Sequence, residues 1–281
     1  MIFHEYSLIF FTVLAQTAVG AYLLVSTRAL VKGHDVDQIN SYKVPMFGLW
    51  AIMGLGFLFS LTHLGSPLRA FNSFNQLGSA WLSNEVFFGA AFFAVGGTQW
   101  LLSVLNKGSA GVQKALMVAA MALGCVFMYS MINVYMIDTV PTWFNVYTPL
   151  SFVMTMVVGG LLLFQFVIVA ANDSHFTVDH NIIMLAFVAV AISLVVTIGK
   201  ANLIGDIQSS VVKASELVDG LGCYLGVQVV LLVVGLLIWV LPMINKSHVN
   251  PFNLAIALVL ILASELVGRG LFYSLQMTSG L

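Results

Sequence analysis

Apolar residues in this protein fall into long, nearly unbroken runs separated by shorter polar stretches. Eight runs reach membrane-spanning length, at approximately 7–30, 44–63, 83–105, 112–136, 148–171, 181–200, 221–244 and 250–275. A helix needs roughly 20 apolar residues to cross the hydrocarbon core. The runs are apolar on every face rather than alternating, which selects helices over the strands of a membrane barrel. The pattern predicts an all-α integral membrane protein, with eight transmembrane helices in a bundle and a single polytopic membrane domain over 1–281. Gly48, Gly54, Gly56, Gly89, Gly96 and Gly97 fall within the second and third runs. They read as packing residues, because small side chains let helices approach closely in lipid. The connection at 201–220 is the longest and is expected to carry a short surface helix around Ile207–Leu217.

Composition agrees with the pattern. Hydrophobic residues make up 60% of the 281, charged residues only 7%, and mean hydropathy is +1.02. Soluble domains carry about 25% charged residues, so lipid must cover much of this surface. The net charge is -1 and no basic tract is present, which argues against nucleic acid as a partner. No Lys or Arg precedes Arg28, so the first run reads as a retained span rather than a signal peptide. Cys125 and Cys223 have no metal-type or redox-type spacing, and no metal site is predicted.

Orientation follows from Lys and Arg near the span ends. Odd-numbered loops hold Arg28, Lys32, Lys43, Lys107, Lys114 and Lys246; even-numbered loops hold Arg69, Lys200 and Lys213. Arg269 is left out as lying inside a span. The six-to-three excess predicts both termini on the outer, periplasmic side.

The few ionisable residues in or beside the spans carry the most information, because charge in hydrocarbon is costly. His63 closes the second span, Glu85 opens the third, and Glu265 and Arg269 lie in the eighth. Counting spans brings all four to the same end of the bundle, whichever side is named outer. Each has a plain structural reading. Glu265 and Arg269, at i and i+4, can neutralise each other. His63 can be an interfacial histidine. Glu85, beside Ser83 and Asn84, can cap its helix. The functional reading is a polar pocket in an apolar wall, suited to a lipid-soluble molecule with two exchangeable protons. A bundle that binds haem b needs two histidines inside spans, and only His63 comes close. Neither haem nor an iron–sulfur cluster is therefore expected in this subunit.

Several stretches resemble a known family: Phe47-Gly48-Leu49-Trp50, Thr62-His63-Leu64-Gly65-Ser66-Pro67-Leu68-Arg69, Leu82-Ser83-Asn84-Glu85, Asp138-Thr139-Val140-Pro141-Thr142-Trp143, and Glu265-Leu266-Val267-Gly268-Arg269. They are similar to the membrane-anchor (C) subunit of bacterial dimethyl sulfoxide reductases, and the likeness runs in order along the whole sequence. It implies a multi-pass subunit of the bacterial inner membrane. Such a subunit anchors an iron–sulfur (B) subunit and, through it, a molybdopterin catalytic (A) subunit. It binds menaquinol and delivers its electrons to the iron–sulfur partner in anaerobic respiration. By this resemblance His63 and Glu85 inherit quinol-site roles.

The mechanism expected from these residues is simple. His63, of a residue type titrating at about pH 6.5, holds a quinol hydroxyl and accepts its proton. Glu85 relays protons to the outer face. Arg69 polarises the opposite oxygen or contacts the iron–sulfur partner. Glu265 and Arg269 form a second tier. Trp50, Trp81, Phe71 and Phe74 are candidates for packing the quinone ring, although aromatic residues also gather at membrane interfaces as anchors. A polysulfide-reductase-type quinone-linked anchor, an ion-translocating transporter and a purely structural anchor stay open at this stage.

Overall fold

A computed structural model of the protein describes residues 5–31, 42–62, 72, 74–171, 180–209, 212–245 and 249–278. Eight helices account for most of them: α1 (Tyr6–Val31), α2 (Lys43–Thr62), α3 (Trp81–Val104), α4 (Ala110–Tyr135), α5 (Tyr147–Ala170), α6 (His180–Asp206), α7 (Leu221–Ile244) and α8 (Pro251–Ser274). All eight contain windows long and apolar enough to cross a membrane. A lone bridge between Gln208 and Lys213 is the only β pairing among the described residues.

Helix α1 is the hub. It packs against α2, α4, α5 and α8, and 78% of its most apolar window is buried. Its closest partner is α5. A Cβ placed on Gly160 would lie 2.7 Å from the backbone of Gly20, and one on Gly20 would strike the backbone carbonyl of Met156. Only hydrogen side chains allow this approach, and dispersion between the two backbones then holds the pair in lipid. The α3–α4 hairpin flanks one side and the α7–α8 hairpin the other. A tight turn makes the first of these hairpins. Between α3 and α4, Asn106 (φ 53°) and Gly108 (φ 85°) reverse the backbone, and Ser109 caps α4 by accepting from the Val112 N–H. Asn250 caps α8 in the same way, with Pro251 at the first helical position, where its missing N–H costs nothing.

Three boundaries differ from expectation, and each moves a polar residue. Helix α3 begins at Trp81, two residues before the predicted start. Glu85 therefore sits in the second turn rather than at a cap. Asn84 turns back instead, accepting from the Gly78 N–H at 2.7 Å. Helix α6 continues six residues past the predicted end, to Asp206. Lys200 is thus a helical residue and not a loop charge. The surface helix expected around Ile207–Leu217 contracts to one 3-10 turn at Ala214–Glu216.

Candidate functional site

Polar side chains gather at the end of the bundle where α1 starts, α2 stops, α3 starts, α4 stops, α5 starts and α8 stops. Ser7 at the start of α1 is hydrogen-bonded to Thr62 at the end of α2 (2.8 Å). His63 follows Thr62 directly; it and Arg69 lie outside the described residues. At the start of α3, Ser83, Asn84 and Glu85 are all buried, Glu85 to 3% exposure. Its Oε1 has no hydrogen-bond partner among the described residues. A carboxyl oxygen left unpaired in an apolar bundle is rare, because burial without a partner is costly.

Glu85 is within electrostatic reach of two phenols, Tyr135 and Tyr273. The Tyr273 hydroxyl donates to that of Tyr135 at 2.5 Å, linking the last turns of α4 and α8. One turn deeper on α8, Arg269 is 4% exposed. Its guanidinium lies 3.5 Å from the centre of the Phe152 ring, donates to Gln16 Oε1 of α1 at 2.9 Å, and is 3.4 Å from Thr155 Oγ1. The Thr155 hydroxyl donates to Glu265 Oε2 at 2.7 Å. Glu265 and Arg269 do share a face of α8, but Thr155 of α5 stands between them in place of a direct ion pair.

These contacts explain how polar groups survive in the bundle. The Arg269 cation has an aromatic face, an amide oxygen and a hydroxyl around it, so its desolvation is offset by partners from two other helices, α1 and α5. Below it, Lys200, Gln228, Glu265 and Arg269 line a cleft between α5, α6, α7 and α8. Neither Lys200 nor Gln228 is singled out by the sequence pattern. Lys200 ends an apolar run and reads there as a loop charge. An ionisable residue at the end of a run has the same standing as His63, and that is the available signal.

The aromatic candidates separate. Trp50 is 5% exposed and packs in the core against Tyr22 and Phe92. Trp81 is exposed and meets Tyr129 edge-on, and Phe74 meets Phe87. Phe71 lies outside the described residues. A further aromatic group forms around Trp143, which stacks on Phe272 (5.1 Å, 14°) and donates its indole N–H to the Phe272 carbonyl at 2.8 Å. The loop after α4 is thereby locked beneath the end of α8. Groups of three or more His, Cys, Asp or Glu able to hold a metal are absent among the described residues.

Fold and site together define a multi-pass helical membrane protein whose buried Glu85, Glu265 and Arg269 lie toward one end. The protein belongs to the DMSO reductase anchor subunit (DmsC) family, which it matches over residues 1–275. It is 39% identical over 280 residues to the C subunit of the anaerobic dimethyl sulfoxide reductase of Escherichia coli K12, and the match spans 99% of this sequence and 97% of that one. It is 42% identical over 279 residues to the YnfH subunit of an anaerobic dimethyl sulfoxide reductase of the same organism, with the same coverage. Its identity to the C subunit of the Haemophilus influenzae anaerobic dimethyl sulfoxide reductase is 35% over 279 residues, again spanning 99% and 97%.

Proposed function

We propose that this subunit anchors a dimethyl sulfoxide-type reductase in the bacterial inner membrane and oxidises menaquinol at the end of the bundle that carries Glu85. The observation that carries this reading is the buried Glu85 carboxyl with its unpaired oxygen, one helix turn from the α3 start, at the end of the bundle where α2 stops and His63 follows. Oxidation of a quinol releases two electrons and two protons. His63 accepts one hydroxyl proton and Glu85 the other, both by hydrogen-bonded transfer. The electrons leave to an iron–sulfur subunit docked at this end, and pass from it to a molybdopterin subunit that reduces an S- or N-oxide. Arg69 orients the quinone oxygen or the docked partner. Among Lys and Arg outside the helix interiors, setting Lys200 aside with Arg269 leaves six against two, which supports both termini and the docked arm on the outer face.

The test is fluorescence quenching of a quinol-site inhibitor titrated into membranes containing the assembled complex. Loss of stoichiometric quenching in His63→Ala and in Glu85→Gln, with the complex still assembled, supports the reading. Unchanged quenching in both moves the quinol site elsewhere. A polysulfide-reductase-type anchor shares this chemistry and is distinguished by the oxide or sulfur substrate that the complex reduces.

A further inference from the structure

The cleft between α5, α6, α7 and α8 does not include Glu85 in its lining, and its polar lining is unusual. Lys200 Nζ sits 4.8 Å from the centre of the Phe272 ring. It makes no hydrogen bond or ion pair with a described residue, and neither does the Gln228 carboxamide. Glu265 uses Oε2 on Thr155 and leaves Oε1 without a hydrogen bond. Arg269 is 4% exposed, and its Nε has no partner among the described residues. Buried polar groups are normally paired. Lys200, Gln228, Glu265 and Arg269 thus all present unused hydrogen-bonding capacity to one cleft with mostly apolar walls, the composition of a ligand pocket.

The shape of the surroundings narrows the ligand. Ile204, Leu271 and Leu275 line the cleft and continue into an apolar cluster with Ala214, Val218 and Met277. That apolar side suits the ring and tail of a lipid-soluble molecule better than a phosphate headgroup or a soluble anion. Helices α7 and α8 are tightly joined, whereas α6 and α7 touch far less.

We propose that this cleft is a second quinone site, reached from the bilayer between α6 and α7. It takes the ring of a lipid-soluble quinone or quinol. Lys200 and Gln228 donate to one ring oxygen, Glu265 Oε1 receives a hydroxyl when the ring is reduced, and the tail lies along Leu221 and Leu225. No electron transfer is assigned here; the site holds a quinone in reserve beside the oxidation site. The ligand class rests on the quinol reading above, but Lys200, Gln228 and Glu265 take the place of His63 and Glu85.

The experiment counts quinone per purified complex by extraction and chromatography, and maps labelling by an azido-naphthoquinone with mass spectrometry. Wild type is expected to hold two quinones and to be labelled on the 196–228 segment. Lys200→Met, and Leu225→Trp, which fills the cleft, should each lose one quinone. Lys200→Met should also lower that labelling about tenfold, the scale of one charge-assisted hydrogen bond, and Leu225→Trp should abolish it by filling the space. His63→Ala should retain both the labelling and this quinone. One quinone per wild-type complex, labelling confined to α2 and α3, or a phospholipid recovered in place of the second quinone would each overturn the proposal. Failure of the quinol reading shows separately, as normal quinol oxidation in His63→Ala.

Discussion

The hydroxyls of Tyr135 and Tyr273 meet at 2.5 Å inside the bundle, joining the end of α4 to the end of α8 across 138 positions of sequence. Both rings also pack against Phe272, so the pair is closed off by aromatic carbon. Replacing Tyr273 by Phe removes one hydroxyl and strands the other. The expected loss is about 1–3 kcal/mol, the cost of a buried polar group left unpaired. The double variant Tyr135→Phe with Tyr273→Phe should recover much of that loss, because no polar atom is then left over. Thermal unfolding of the detergent-solubilised complex measures both, and equal melting of all three forms would remove the pair from the stability argument.

Thr155, Glu265 and Arg269 form a second linkage, between α5 and α8. Glu265→Gln keeps an acceptor for the Thr155 hydroxyl and should fold. Glu265→Leu removes the acceptor and leaves the polar network around Thr155 and Arg269 incomplete in the bundle, a loss of about 1–3 kcal/mol. Immunoblotting of membranes should find the Gln variant near the wild-type amount and the Leu variant strongly depleted. Similar depletion of both would point to a role for the charge itself.

Glycines in the bundle are not equivalent. A Cβ at Gly160 would meet the Gly20 backbone at 2.7 Å, whereas a Cβ at Gly97 meets nothing within 4 Å. Gly160→Leu should separate α1 from α5 and prevent accumulation of the protein. Gly97→Leu should accumulate normally. The same membrane blot decides it, and a tolerated Gly160→Leu would contradict the close α1–α5 contact.

Glu85→Gln tests the chemistry, since it preserves the side chain's shape but removes its capacity to accept a proton. With the complex assembled, the rate of quinol oxidation should fall by roughly 10²–10⁴, the range associated with one general base. Rapid mixing of reduced quinol with the oxidised complex measures that step apart from substrate reduction. A fall of less than twofold would reduce Glu85 to a packing residue.

The helices are legible in the sequence because a membrane imposes a length and a composition on anything that crosses it. The eight runs in the hydropathy pattern correspond to eight helices. Span counting also places Glu85, Glu265 and Arg269 at one end, and the Tyr135–Tyr273 and Thr155 contacts tie that end together. What escapes the sequence is lateral: which helix faces which. Runs that are apolar on every side contain no record of a buried face. Nothing in the pattern pairs Gln16 with Arg269, 253 positions away, or sets Gly20 against Gly160. Lys200 escapes for a different reason. The stretch Lys200-Ala201-Asn202-Leu203-Ile204-Gly205-Asp206 is polar enough to read as a loop, yet the helix runs through it, so the lysine points into a cleft instead of toward water.

The Gln16–Arg269 hydrogen bond joins the first helix made to the last. During synthesis, α1 leaves the translocation machinery long before α8 exists. Its amide then waits in lipid or against the insertion apparatus, and α1, the most buried helix of the finished bundle, has its future neighbours still unmade. The final arrangement can therefore close only after the whole polypeptide has been threaded into the bilayer. A nascent polypeptide arrested before α8 should remain open to proteolysis and to chaperone capture, so completion of translation is itself the assembly checkpoint.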